Sequence, residues 1–315
     1  MRITLGMSTD QTLLNLNDQQ VQIDSLSQEI SSGKKLASPS DDPLSWSQTM
    51  NTSQTLREYN SFVGNINFAT EWGNSTQSAL NQFADLLTQA KSIAEQGVSA
   101  VGMGQSGPLI SEIGVVVQQA LSNANTQFNG QYIFAGTATG APPYSLDSST
   151  GAVTYSGNSD YIKVKTGMGL SSAITPSSSS VSGGGMTSVN VTGPDVLGGS
   201  TSGGGSNMLN DIWNLQNALK TGDVSGISNS ITTLGNDYNQ INNQLTTVGT
   251  TLSGLTGQQS ALQTMVTNET GVQSNYQDAD VASATVKLST AQTAFEAALQ
   301  VTSTLDNLNL ATILH

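Results

Sequence analysis

Between Ile227 and Val266 an apolar residue recurs at alternating spacings of four and three. The run is Ile227, Ile231, Leu234, Tyr238, Ile241, Leu245, Val248, Leu252, Leu255, Leu262 and Val266, with Gln259 the one polar interruption. That spacing lines every one of them along a single stripe of an α-helix. At 1.5 Å per residue such a helix runs to roughly 60 Å. A stripe of that length cannot be covered inside a compact globule and needs partner helices of similar length. The chain is therefore expected to be mainly α, a long antiparallel helical bundle or coiled coil built from its N- and C-terminal halves.

A partner stripe lies upstream. Phe62, Ile66, Ala69, Gly73, Thr76, Leu80, Phe83, Leu87, Ala90 and Ala94 repeat with the same period inside a segment running from Pro43 to about Gly97, with Trp46 and Trp72 off or beside it. The Gly-rich stretch 102–108 breaks this helix, and Leu109, Ile113, Val116, Ala120, Ala124 and Phe128 predict a shorter one returning antiparallel. After the turn signal Asn129-Gly130 the period changes to two. Residues 131–136, 153–155 and 161–165 read as strands, the last two separated by Gly157-Asn-Ser-Asp160. From 171 to 206, 20 of 36 residues are Gly or Ser, which argues against further regular strands. Helical patterning resumes with Met208, Leu209, Ile212, Leu215 and Leu219, stopped at Gly222. The layout is a helical rod of 43–136 and 207–278 with a small β domain, 137–206, inserted between its halves.

The two ends, 1–42 and 279–315, carry weaker heptads. Leu13, Leu16, Val21, Ile23 and Ile30 mark the first, and Val281, Leu288, Phe295, Leu305, Leu308, Leu310 and Ile313 the second, both diluted by Ser, Thr, Asn and Gln. Helices of this quality are marginal alone in water. They are expected to mediate assembly with other copies, giving a homo-oligomer. Asp42, ahead of Pro43, and Asp280, ahead of Val281, are placed as helix N-caps; capping accounts for the Asp41-Asp42 pair better than acid–base chemistry does.

Composition narrows the function. Charged residues are 10% of the chain, against about 25% in ordinary domains, and the net charge is −13. Too few cations are present to neutralise nucleic acid phosphates or to hold an anionic membrane surface. No apolar run approaches the ~18 residues of a membrane span, and the N-terminus lacks a secretory h-region. There is no cysteine, so disulfides and thiolate chemistry are ruled out. The single histidine, His315, is the last residue, and no phosphate-loop, dinucleotide, zinc-protease or nucleophile-elbow motif occurs. Gly183–Gly185 and Gly203–Gly205 sit in Ser-rich loops without a following helix start, and Lys163 and Lys165 suit a solvated strand edge. No enzyme, metal or cofactor is expected. A sugar-binding or catalytic β insert, and a secreted adhesin with a coiled-coil stalk, are the readings from other classes.

The ends carry a resemblance. Met1-Arg-Ile-Thr, then Leu26-Ser-Gln-Glu-Ile-Ser-Ser-Gly33 running on to Pro39-Ser-Asp-Asp-Pro43, resembles the flagellin superfamily. The Pro-Ser-Asp-Asp-Pro version is similar to the branch found at the hook–filament junction; flagellins proper carry an Asn-Ser-Ala-Lys-Asp-Asp-Ala type of sequence there. Asn129-Gly-Gln-Tyr-Ile-Phe-Ala-Gly136, Asp278-Ala-Asp280 and Thr293-Ala-Phe-Glu-Ala-Ala-Leu-Gln-Val-Thr302 extend the likeness, whereas Leu310-Ala-Thr-Ile-Leu-His315 departs from it. The resemblance implies a structural adaptor in the bacterial flagellum. It would form a ring between hook-associated protein 1 and the flagellin filament, escorted by an export chaperone and exported unfolded without a cleaved signal peptide. The filament subunit itself, flagellin, is the alternative within the superfamily.

Overall fold

The computed structural model describes residues 5–147, 150–167, 185–198 and 207–313, with side chains placed for 11–147, 150–167, 185–198 and 207–304. Among the described residues seven helices and six short strands follow in order. These are α1 (Leu5–Ser32), α2 (Pro43–Gly102), α3 (Gly107–Ala124), β1 (Gln127–Phe128), β2 (Gln131–Tyr132), β3 (Tyr144–Leu146), β4 (Val153–Tyr155), β5 (Lys163–Lys165), β6 (Met186–Ser188), α4 (Gly193–Leu197), α5 (Met208–Thr221), α6 (Val224–Gln277) and α7 (Val281–Ile313). The chain is mainly α, its long helices packed antiparallel, with small antiparallel sheets between them. It divides into two compact units, residues 59–264 and residues 1–58 with 265–315.

In the 59–264 unit, α2 and α6 bury the two stripes read from the sequence. Every residue of the α2 stripe from Phe62 to Ala94 is buried. On α6 the register is narrower. Ile227, Leu234, Ile241, Val248, Leu255 and Leu262, one per heptad, are buried, while Ile231, Leu245 and Leu252 are half-buried and Tyr238 is 39% exposed. A single facing helix covers only one line of its partner fully. Gly73 sits in the α2 stripe because Leu252 occupies the space a Cβ would need. Gln259 breaks the α6 seam by donating to Asn67 Oδ1 at 2.6 Å.

A second face of α2 is covered as well. Trp72, fully buried, meets Phe128 edge-on with ring centroids 5.8 Å apart, and Phe83 meets Phe134 at 5.9 Å. Asn123 of α3 donates to the Ala79 carbonyl at 2.8 Å. The tryptophan expected beside the stripe is thus among the largest side chains of the core.

The β region differs from the sequence expectation in two ways and fixes a strand pairing that the sequence leaves open. Only Gln131–Tyr132 of the 131–136 run is a strand, pairing with β1; Ile133, Phe134 and Ala135 are fully buried in irregular backbone. Burial, and not pairing, accounts for their apolar character. Next, β4 and β5 are not partners. β4 pairs with β3 and β5 with β6, so the polar turn between them joins separate hairpins. Finally, the Gly/Ser-rich stretch contains β6 and the short helix α4. Asp195 makes that helix possible: its Oδ2 accepts from Thr192 N at 3.1 Å and Thr192 Oγ1 at 2.7 Å. Its carbonyl accepts from Gln240 and Gln244 of α6 at 3.0 and 3.1 Å. These residues join the core of the helices through Tyr144, Val189, Val191, Val196 and Leu197, so the insert and the rod share one apolar interior.

Two glycines make this packing testable. Gly151 holds φ +70°, and a Cβ there would overlap the Trp213 ring. Gly151→Ala should lower stability by about 1–2 kcal/mol from the left-handed backbone alone, and further from the ring overlap. Gly64 is exposed on α2 with nothing around its Cβ position, so Gly64→Ala should raise stability by about 0.5–1 kcal/mol. Urea unfolding of the two variants against the parent reads both signs.

Candidate assembly surface

The unit formed by 1–58 and 265–315 begins from a clasp. α1 stops at Gly33, which takes φ +68° and donates its N–H to the Glu29 carbonyl at 2.9 Å. This is the left-handed helix end for which glycine carries no Cβ penalty. The next residues cross to the break between α6 and α7. Lys35 N donates to Gln277 O at 2.9 Å, Ala279 N to Gly33 O at 3.0 Å, and Lys35 Nζ to Asn275 O at 2.9 Å. The clasp joins the C-terminal end of α1 to the N-terminal end of α7, so the two helices pack side by side and antiparallel.

The two aspartates that follow have separate tasks. Asp41 organises the loop: its Oδ2 accepts from Ala37 N at 2.9 Å and Ser38 N at 2.7 Å, its Oδ1 from Ser38 Oγ at 2.9 Å. Asp42 caps α2, accepting at Oδ1 from Leu44 N and Ser45 N, both at 3.1 Å, and at Oδ2 from Ser45 Oγ at 2.6 Å. These answer the orphan N–H groups of the first turn, and Pro43 has none to satisfy. Both carboxyls are held below the ordinary carboxylate range by these donors, Ser38 acting most on Asp41 and Ser45 most on Asp42. Asp280 caps α7, its Oδ1 accepting from Ser283 N at 3.0 Å.

Along the α1–α7 pair the apolar residues separate into two sets. Leu16 and Leu26 are buried and Ile23 and Ile30 half-buried on α1; opposite, Ala284 is buried and Leu288, Ala291, Phe295, Ala298 and Thr302 are half-buried. Both sets step by three and four, as one helix face does, and this is the seam between the two helices. The other set faces water: Leu13 is 56% exposed, Leu14 59%, Val21 60%, Val286 68% and Val301 56%, with Val281 and Leu299 also exposed. The sequence treats Leu16, Ile23, Ile30, Leu288 and Phe295 as contacts to other copies because two thin helices offer no obvious core. The structure covers Leu16 within its own unit, and Leu13, Val21 and Val281 remain free. Nothing in a single chain's heptads separates these sets, because burial by an internal partner and by an external one leave the same periodicity. Backbone of α7 continues through Leu305, Leu308, Leu310 and Ile313, whose side chains lie outside the described residues.

Elsewhere, Lys165 Nζ sits 5.1 Å from the Phe62 ring centroid, and both Lys163 and Lys165 are exposed. A cleft of about 300 Å³ lies in the 59–264 unit, lined by Tyr161, Asn190, Asp195, Gln244 and Thr247 among others. Its one carboxylate is taken by Thr192 and by Tyr161 Oη, which donates at 3.0 Å. Gly183, Gly184, Gly203–Gly205 and His315 lie outside the described residues. Among the described residues no group of acids and histidines is arranged to hold a metal ion, and no helix is long and apolar enough to cross a membrane.

Residues 3–139 match the bacterial flagellin N-terminal helical region. The chain is 30% identical over 153 residues to flagellar hook-associated protein 3 of Salmonella typhimurium, a match covering 48% of each chain. To the Escherichia coli protein of the same name it is 28% identical over 165 residues, 52% of this chain and 51% of that one. The chain thus spans about half the length of the curated relatives it matches. Among solved structures, a Vibrio parahaemolyticus protein solved as a candidate flagellar hook-associated protein superposes with a TM-score of 0.63 at 21% identity. That match covers 76% of this chain and all of the other. FlgL of Bacillus cereus superposes at 0.54 with 17% identity, over 72% and 98%. Residues 3–139 are thus similar to the flagellin N-terminal helical region, and about half of the chain is similar to flagellar hook-associated protein 3.

Proposed function

We propose that this chain is a non-enzymatic structural adaptor of the bacterial flagellum, joining the hook-side junction to the flagellin filament. The observation that carries this is the second apolar face of the α1–α7 pair. A two-helix element that buries one stripe and leaves Leu13, Leu14, Val21, Val286 and Val301 in water has area to spend on neighbours. The shared name of the curated relatives supplies the setting. In this reading residues 1–42 and 279–315 assemble along the axis, 43–136 and 207–278 form the rod, and 137–206 faces outward. Copies of the chain close into a ring that meets hook-associated protein 1 on one side and flagellin on the other. An export chaperone delivers the chain through the flagellar route to the cell exterior. Low charge suits close packing of copies that all carry a net negative charge.

The division of the apolar residues supports separate roles in this reading. Leu16, Ile23, Ile30, Leu288 and Phe295 hold α1 to α7, and Leu13, Val21 and Val281 meet the next copy. Leu305, Leu308, Leu310 and Ile313 extend the assembling region. The match to the flagellin N-terminal region also suits the filament subunit; purified chain growing into long filaments by itself would favour that reading.

Two experiments follow. Removing 281–315 should leave the 59–264 unit cooperatively folded while abolishing complementation in a strain lacking its own junction protein. Such a strain should keep complete hooks and shed flagellin monomers; restored filaments would sink the reading. The double variant Leu13→Ser, Val21→Ser should keep the parent's helical signal yet fail to restore filaments, whereas Leu16→Ala should lower thermal stability of the terminal helices. Full motility of the double variant would remove the free face from the assembly surface.

A further inference from the structure

Asn129-Gly130, the only Asn-Gly pair in the chain, closes the hairpin of β1 and β2. Phe128 pairs with Gln131 across it, so these two residues are the whole loop. Asn129 takes φ +50° and Gly130 φ +77°. Two positive values in succession make a primed turn, whose twist matches that of the strands it joins. Asn129 is the one residue other than glycine with a positive φ among the described residues. Both turn residues are exposed. The side-chain amides of Asn123, Asn125 and Asn158 each donate to a partner; among the described residues none holds that of Asn129.

We infer that Asn129 is a self-modification site that the folded hairpin keeps shut and that unfolding opens. An asparagine followed by glycine carries its own electrophile and nucleophile. The Gly130 nitrogen attacks Asn129 Cγ, forming a C–N bond and expelling the side-chain nitrogen as ammonia, which leaves with the Gly130 amide proton. Water then opens the cyclic imide at either carbonyl. One product is aspartate in the ordinary chain; the other is isoaspartate, with the main chain running through Cβ and Cγ. Glycine favours the attack because it has no side chain to crowd the nitrogen. Closure of the ring needs Cγ and the Gly130 nitrogen on the same side of the Cα–C bond. In the left-handed conformation they lie on opposite sides, so the native turn holds the two groups apart. Isoaspartate adds a main-chain carbon to a two-residue loop that has no slack. That loop's register sets Phe128 against Trp72 and Phe68, with ring centroids 5.8 and 6.2 Å away. It also delivers the fully buried Ile133, whose N–H donates to Thr126 O at 3.1 Å. A modified chain loses this anchorage, and the extent of modification records the time spent unfolded. The inference does not rest on the assembly reading.

The test ages the full chain at pH 8, in buffer and in concentrated guanidinium chloride. Isoaspartate is located by enzymatic carboxyl methylation and peptide mass spectrometry. In denaturant it should appear at 129 ahead of every other asparagine. In buffer it should form at least about tenfold more slowly, because the reaction waits for the turn to open. Parent chain aged in denaturant and returned to buffer should melt below fresh parent in proportion to its isoaspartate content. Asn129→Gly, which a primed turn accepts, should melt alike before and after the same ageing. Equal rates in buffer and denaturant would overturn the guard, and earlier modification elsewhere in denaturant would overturn the site. Modified chains that regain the fresh parent's Tm would overturn the link to the hairpin. Should Asn129→Gly not fold, the two rates in the parent and the Tm of its aged sample decide alone.

Discussion

The architecture depends on α2 being covered from two sides. One face takes the single-heptad line of α6, from Ile227 to Leu262; the other takes Phe128, Phe134 and the α3 residues around Asn123. A helix with one partner buries one stripe and leaves its flanks half wet, as α6 does at Tyr238. A helix with partners on two faces can bury Trp72 and Ile93 in addition to its main seam. The inserted β residues gain their order from this arrangement. Three two-stranded hairpins are each marginal in water, and they persist because Tyr144, Val189, Val191 and Leu197 close over the apolar surface that α2 and α6 provide.

The terminal unit is held by different means. Its helices share a thin seam of small and half-buried residues, and the clasp at Gly33, Lys35, Gln277 and Ala279 fixes which ends meet. The Asp41 loop network and the Asp42 and Asp280 caps complete the backbone groups of that junction without burying charge. Economy of internal packing leaves apolar side chains over. Left uncovered in a lone chain such a face would be a liability, and the proposed assembly of copies would cover it.

Much of this was legible in residue order. The α2 and α6 stripes, the Gly222 stop, and the Asp42 and Asp280 caps are local or periodic signals, and each depends on chemistry within a few residues. Hairpin partners were not legible, because strands of three residues carry too little pattern to specify register. β6 and α4 were hidden in a Gly/Ser-rich stretch whose order comes from Asp195 and its contacts with Gln240 and Gln244, far away in sequence.

By itself, then, the sequence determined the period, the helix ends and the low charge that make this a chain of long, stackable helices. Only the tertiary structure decided which apolar residues are spent inside the subunit and which are left outside. Periodicity records that a face is wanted, but the identity of what covers it is a property of the packed arrangement. Leu16 and Leu13 lie three residues apart on α1; one is buried, and the other is 56% exposed to water.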